Sequence, residues 1–405
     1  MQLSLFENTG NNEIPLYEYF EAYFSCRRNK RTTTNAIAFE TDYEAQLVKL
    51  YQEVNDRTYA PGRSVAFIVN KPVQREIFAA EFRDRIIHHL LINKLNPLFE
   101  KEFIYDCYAC RKNKGTLFGI RRADRFIRKC SENYTKNCFV LKLDIEGFFM
   151  YINRKILYER LNRFISTHYK GEDVEAVLFL IRKTVYNQPI EGCVIKGRKE
   201  SWQGLPTNKS LFCAPSDCGL PIGNLTSQIF ANFYMTPFDH FIKHGLRIRY
   251  YGRYMDDFII IHPNKEYLKS LIPIIRNYLK VHLGLTLHPR KIYLQHYSKG
   301  VKYLGAVIKP GRLYIGNRTV GNFSTAVQLQ NKAVDSGNAY PGETEKAAFL
   351  SSMNSYLGMM KHYKSYRLRT SIITRLSPIW WQCVAVTNGG CKFVLSDWHG
   401  ELIEY

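Results

Sequence analysis

RYYGRYMDDFIIIH, residues 249–262, decides how the rest of the chain is read. Two adjacent carboxylates, Asp256 and Asp257, stand between an aromatic run (Tyr250, Tyr251, Tyr254) and an aliphatic one (Phe258, Ile259, Ile260, Ile261). β-Branched and aromatic residues favour extended chain, so the stretch predicts two strands meeting at Met255 and Asp256. A tip needing only turn chemistry would use Asn-Gly or Asp-Gly. Asp-Asp is a poor substitute, because neighbouring like charges beside a packed sheet oppose each other's ionisation. A divalent cation removes that cost, and Mg²⁺ held by a few carboxylates plus substrate phosphates is the usual arrangement in nucleotide chemistry. A surface turn with two solvated aspartates is the plainer reading of the same residues.

Upstream, CFVLKLD (residues 138–144) is a short apolar strand ending on a lone acid, followed by IEGFFMYI with a bend at Gly147. A carboxylate at the end of a buried strand needs a charge partner, hydrogen bonds or a metal. If that strand lies beside the hairpin, Asp144, Asp256 and Asp257 converge. They then supply ligands for two Mg²⁺ ions, which would clamp the attacking and leaving oxygens of an in-line phosphoryl transfer. The competing role for Asp144, capping the helix that follows from Asn153, asks it to act across several residues of chain.

The charge balance narrows the partner. Lys and Arg number 57 against 36 Asp and Glu, a net charge of +21. A field of that sign and size suits a polyanion, most simply nucleic acid, more than it suits an unspecialised basic enzyme. Basic residues recur beside aromatics in CRRNKR (26–31), RR (121–122) and RYYGRY (249–254), the composition of a strand-binding surface. With 45% hydrophobic and 14% aromatic residues the chain is globular, and its 405 residues allow two or three lobes. Ten cysteines offer one C-x-x-C, at Cys107 and Cys110, so ordinary reduced thiols are expected rather than zinc. No apolar run reaches the length of a membrane span and the first residues lack a signal-peptide pattern. A cytoplasmic protein without a membrane partner is expected.

Working outward, Thr41-x-x-Glu44 has the form of a capping box, opening a helix with a stripe at Leu47, Leu50, Tyr51 and Val54. Residues 65–69 and 75–79 read as paired strands around a connection containing Pro72. Residues 82–95, 119–128, 153–164 and 174–186 read as helices, and 188–219, rich in Gly and Pro, as an irregular crossover. Residues 220–242 begin with Pro221 and Gly223 and become helical. A helix at 266–283, short strands near 293, 301–307 and 312–315, and a mostly helical pattern from 321 complete the chain.

Taken in order, LKLDIEGFF, LPIGNLTSQ (220–228) and YMDD resemble the motifs of reverse transcriptases in sequence and spacing. REIFAAEFRDRIIHH (75–89) and YACRKNKGT (108–116) are similar to the fingers blocks of that family, and KYLG (302–305) to its primer-gripping hairpin. The resemblance runs from about residue 75 to 305. It implies an α+β, right-hand polymerase fold. Fingers would come from residues 1–136 and 153–213, a palm with an antiparallel sheet from 137–152 and 214–315, and a helical thumb from 316–405. Most reverse transcriptases carry a Gln where this chain has Ile222 and a Pro where it has Gln228. That pair of departures is the pattern of diversity-generating retroelement reverse transcriptases. No segment resembles a maturase, endonuclease or RNase H domain.

The resemblance implies a role for each matched residue. Asp144, Asp256 and Asp257, joined by the backbone of Ile145, hold two Mg²⁺ ions, with Mn²⁺ the alternative. Phe149 is similar to the aromatic gate that excludes a ribonucleotide 2′-OH, core packing beside Phe148 being its other role. Lys71 and Arg75 meet the incoming triphosphate, Arg as a fork and Lys as a point charge; solvated surface is the bland option. Gly223 lets backbone approach the nucleotide and template base without a Cβ in the way, and Gln228 belongs to the same substrate-binding block. Lys291 stabilises or protonates the leaving pyrophosphate, and Tyr303, Leu304 and Gly305 form the primer grip. Lys361, Lys364, Arg367 and Arg369 would follow a template–primer backbone.

Ile222 is the departure with a physical consequence. A Gln there could hydrogen-bond near the template base, whereas Ile can only pack, which relaxes discrimination. The resemblance narrows the resulting errors to template adenines. The reaction implied is RNA-templated addition of dNTPs to a 3′-OH. The partners implied are a template-repeat RNA, its RNA–cDNA duplex and a small basic accessory variability protein that forms a pentameric barrel. Two rivals stand beside this reading. A retron-type or phage-defence reverse transcriptase is disfavoured by GNLTSQ, and a non-catalytic RNA-binding scaffold with a vestigial site is disfavoured by the three acids.

Overall fold

The computed structural model describes residues 12–28, 33–70, 73–335 and 340–396. Twelve strands occur among the described residues: β1 (Val65–Val69), β2 (Arg75–Ala79), β3 (Phe139–Leu143), β4 (Val194–Ile195), β5 (Tyr250–Tyr254), β6 (Asp257–His262), β7 (Tyr293–His296), β8 (Val301–Tyr303), β9 (Ala306–Lys309), β10 (Arg312–Ile315), β11 (Val384–Thr387) and β12 (Lys392–Leu395). They form four sheets, ordered β2-β1-β4, β5-β6-β3-β7, β10-β9-β8 and β11-β12. The chain divides into two units. One comprises residues 1–115, 141–260 and 266–293, the other 116–140, 261–265 and 294–405.

In the first unit the helix Phe82–Glu102 packs on the helices Leu16–Arg27 and Leu225–Tyr234. It runs past the expected end at residue 95 because Phe99 is fully buried, its ring 5.0 Å from Phe233 and 5.9 Å from Phe164. Burying each such ring contributes roughly 1.5–3 kcal/mol. Strands β1 and β2 pair antiparallel from Val65 opposite Ala79 to Val69 opposite Arg75, as expected of two strands around Pro72, and β4 adds in parallel. The crossover is irregular, and one acid pins it. Glu76, buried in β2, accepts from Trp202 Nε1 at 3.1 Å, Ser210 Oγ at 2.6 Å and the Leu211 amide at 2.7 Å. A buried carboxylate is tolerated there because its oxygens are satisfied.

The second unit holds the helix Thr116–Cys130, the meander β8–β10, the helices Asn317–Asp335, Glu343–Met360, Tyr366–Ile373 and Pro378–Trp381, and the hairpin β11–β12. Its core gathers Phe323, Met353, Leu357 and Phe393 around Phe349 and Trp380, whose rings stack at 4.2 Å.

Three expectations need correction. Thr41 does not cap the helix Tyr43–Asn55; Asp42 is the cap residue, and the Thr41 hydroxyl donates backward to the Ile37 carbonyl at 3.4 Å. The C-terminal segment is helical to Trp381 but then forms β11–β12. Val384, Val386 and Val394 favour strand, and Asn388, Gly389 and Gly390 take left-handed backbone at φ 51°, 60° and 79°. Arg369 is buried and donates to the Gly389 carbonyl at 3.4 Å, so it ties down that loop and cannot follow a nucleic-acid backbone. Lys361, Lys364 and Arg367 remain exposed.

Candidate active site

Strand β5 ends at Tyr254 and β6 begins at Asp257, so Met255 and Asp256 form a two-residue hairpin connection. Met255 sits at φ +53°, a conformation such turns usually give to Gly or Asn, at a cost of about 1–3 kcal/mol. The Arg253 side chain offsets that strain. Its Nη1 donates to the Met255 carbonyl at 3.0 Å and to Asn232 Oδ1 at 3.2 Å. Its Nε and Nη2 donate to the two oxygens of Asp239 at 2.8 and 2.6 Å, and the Tyr251 hydroxyl donates to Asp239 Oδ1 at 2.5 Å. Arg253 and Asp239 are both 0% exposed. RYYGRY therefore contributes an internal ion pair, and its second arginine is not part of a strand-binding surface. The backbone of β5 is tied as firmly, with the Arg253 amide donating to Asp106 O and the Tyr108 amide to Arg253 O, each at 2.9 Å. Gly252 is required beside them, because a Cβ would lie 2.1 Å from the Tyr108 hydroxyl.

Asp144 follows β3, the neighbour of β6 in the sheet. The chain beyond it stays extended: the His288 amide donates to Asp144 O, Ile145 bridges to Leu287, and the Glu146 amide donates to Thr286 O. That pairing carries Lys291 back to the site, its Nζ 2.9 Å from Asp144 Oδ1. A second ammonium, Lys142 Nζ, lies 3.2 Å from Asp257 Oδ2. The other oxygen, Asp257 Oδ1, is buried without a hydrogen-bond partner.

Burial is the main cause that pushes the Asp256 carboxyl up to about 6. The negative charge of Asp144 adds to it, and Lys291 and Arg75 oppose it. Burial likewise pushes Asp257 up to about 6 against the pull of Lys142, with Asp256 and Asp144 adding repulsion. The three acids thus lie within each other's fields.

Among the described residues no group of three His, Cys, Asp or Glu side chains forms a ready metal cage. An open set of half-buried carboxylates, with one oxygen unpartnered and two of the groups ionising reluctantly, nevertheless fits Mg²⁺, which takes one or two carboxylates and completes its shell with water and phosphate. Ile145 has a buried side chain and a backbone fixed by its bridge to Leu287, so only its carbonyl could join such a shell.

Arg75, exposed at the start of β2, is close enough to act on both Tyr254 and Asp256. Lys71 lies outside the described residues. The Phe78 amide donates to Ile222 O at 2.9 Å and the Ala80 amide to Asn224 Oδ1 at 3.3 Å, which fastens residues 222–224 along β2. Gly223 takes φ +124°, and a Cβ there would lie 2.9 Å from Ile77 Cγ2 and 3.0 Å from Phe78 O. The Ile222 side chain packs in an apolar cluster with Phe78, Met150 and Phe149. Phe148 is buried and meets Phe149 edge-on at 5.4 Å, leaving Phe149 the more open of the two. The Gln228 Oε1 accepts from the Cys110 thiol at 2.9 Å, and Cys110 is close enough to act on Tyr254. Tyr303, Leu304 and Gly305 form the β8–β9 turn of the second unit, Leu304 and Gly305 at φ +47° and +84°.

Lys142 and Asp239 went unread in the sequence, where Arg253 reads as part of a strand-binding surface. Lys142 carried a usable signal, a lone ammonium inside an apolar strand two residues before the acid. Asp239 carried none, since only the fold brings it to Arg253.

A family model described as reverse transcriptase (RNA-dependent DNA polymerase) matches residues 71–308. Protein YkfC of Escherichia coli K12 is 21% identical over 277 residues, 60% of this chain and 66% of that protein. Among solved structures, the telomerase of Candida albicans, in complex with a fragment of telomeric RNA, aligns at 11% identity and a TM-score of 0.45. That alignment covers 84% of this chain and 60% of the telomerase. An apo telomerase from Candida tropicalis aligns at 12% and 0.46, covering 76% and 60%. The chain thus spans about two thirds or less of the length of these relatives.

Proposed function

The chain belongs to the reverse transcriptase family, and on that premise we propose that it adds dNTPs to a 3′-OH on an RNA template, releasing pyrophosphate. The right-hand polymerase fold of the family gives the two helix-rich parts and the central sheet their roles, with fingers at residues 1–136 and 153–213, palm at 137–152 and 214–315, and thumb from 316. The observation that carries the reading is the mutual repulsion of Asp144, Asp256 and Asp257, answered among the described residues by Lys142, Lys291 and Arg75. Divalent ions held by those carboxylates and the Ile145 carbonyl would lower the pKa of the attacking 3′-OH and neutralise charge on the triphosphate. Arg75, within reach of Asp256, would grip that triphosphate, and Lys291 can exchange Asp144 for an oxygen of the departing pyrophosphate. Gly223 leaves room for the base pair.

Primer extension on poly(rA)/oligo(dT) tests this directly, with Asp256→Ala as the control. Wild type should extend and the variant should not. If both incorporate equally little, the chain is an RNA-binding scaffold.

The finer reading is an enzyme of a diversity-generating retroelement, supported by Ile222 and Gln228. It would copy a template-repeat RNA with the small basic pentameric accessory protein as partner. An aliphatic Ile222, packed among Phe78, Phe149 and Met150, offers the nascent pair no hydrogen bond, so geometric discrimination loosens. Sequencing cDNA from wild type and Ile222→Gln measures this: errors opposite adenine should fall in the variant. A retron-type or phage-defence enzyme would show no adenine bias in either.

A further inference from the structure

A groove of about 740 Å³ opens in the first unit where the lead-in to β1, the last turns of the helix Val174–Val185 and the loop after it meet. None of its lining residues belongs to the aspartate hairpin. Arg63, Arg182 and Lys183 line it, with Phe179 and Tyr186. Arg57 joins them from the side, its guanidinium carbon 5.7 Å from the Phe179 ring centre, and Lys183 Nζ lies 5.4 Å from the same centre. Glu191 is the sole carboxylate of the lining. Among the described residues none of the four cations is ion-paired.

Complementing a helix C-terminus explains Arg182 and Lys183 in part, worth about 0.3–1 kcal/mol each. It does not explain Arg63, which approaches from a separate segment, whereas Arg57 is held by the Val54 and Asn12 carbonyls at 2.9 and 3.5 Å. Arg63 is moreover set in place, its Nε donating to the Gly192 carbonyl at 2.7 Å, which leaves its other N–H groups for a ligand. Tyr186 stands 42% exposed at the lip, backed by Tyr158 at 5.2 Å. Cations that track phosphates, interleaved with an open aromatic ring that takes a base, are the elements of a single-strand site.

We propose that this groove binds a single-stranded segment of RNA outside the stretch being copied, phosphates meeting Arg63, Arg182 and Lys183 and a base stacking on Tyr186. The proposal rests on the enzyme acting on an RNA template. The site would hold a long template RNA on the enzyme while the catalytic cleft advances along it.

The test uses the full chain with its cleft filled by an unlabelled short poly(rA)/oligo(dT) hybrid, and a fluorescein-labelled oligocytidylate of about a dozen nucleotides, which pairs with neither strand, as probe. Charge reversal in Arg182→Glu/Lys183→Glu should weaken probe binding about tenfold or more. The slope of log affinity against log salt should become shallower by about 0.7 for each lost contact. Tyr186→Ala should weaken binding without changing that slope. Arg182→Gln/Lys183→Gln, a milder change, guards against misfolding and should give an intermediate loss. Extension of the short poly(rA)/oligo(dT) hybrid should be unchanged in all of them. Wild-type probe binding in the charge variants overturns the proposal, as does equal loss of probe binding and short-hybrid extension. Absence of extension by wild type would instead overturn the polymerase reading, and the probe titration is read independently of it.

Discussion

Arg253 Nη1 donates to the Met255 carbonyl at 3.0 Å while the same guanidinium grips Asp239 at 2.6 Å. One wholly buried ion pair therefore fixes the strained turn that carries Asp256. Removing the cation leaves Asp239 buried and unpaired, a loss of about 3–5 kcal/mol. Arg253→Gln should lower the melting temperature by many degrees. Arg253→Met combined with Asp239→Leu should recover much of that stability without recovering primer extension, because no donor then holds Met255.

Asp256 and Asp257 cost the metal-free protein stability, since both are half-buried and pushed up to about 6. Asp257→Asn should abolish extension and, in chelator at neutral pH, raise stability by about 1–3 kcal/mol. Chemical denaturation of the two proteins side by side measures the difference.

The same shifts set a pH dependence with a definite sign. A carboxyl whose folded pKa exceeds its unfolded value binds more protons folded, so its contribution is present below about 4 and lost as pH rises through about 6. Chelated wild type should therefore lose about 2–4 kcal/mol from this pair between those values. Mg²⁺ should restore stability at neutral pH and do little near pH 5, where protons compete for the same oxygens. Melting curves with and without the ion across that range check both halves.

Gly223→Ala places a methyl 2.9 Å from Ile77 Cγ2 and 3.0 Å from Phe78 O, on backbone at φ +124°. Strain of about 1–3 kcal/mol should push residues 222–224 off β2. Extension should fall at least tenfold, mostly through a higher KM for dNTP, with a smaller drop in melting temperature.

The central hairpin was legible because its two flanks have opposite and strong strand character around a pair of residues no ordinary turn would choose. Strands β1 and β2 were legible to the residue as two short strand-forming runs on either side of a connection containing Pro72. The C-terminal hairpin had a signal, Asn388-Gly389 between β-branched runs, but a helical stretch before it drew the reading onward. Arg253 was misread for a physical reason: an arginine among tyrosines looks the same whether it faces a phosphate or an aspartate. Asp239 lies 14 residues away on another element, so the distinction exists only once the chain has folded. Lys142 and Lys291 reach Asp257 and Asp144 by the same kind of long-range pairing.

Those two lysines have a practical consequence. Three neighbouring acids without an ion repel one another, and here tethered ammonium groups already stand against two of them. Loading and unloading of the ion become a swap of cations on a standing frame. On the proposed reading, the centre would keep its frame through a spell without the ion and need no rebuilding when the ion returns.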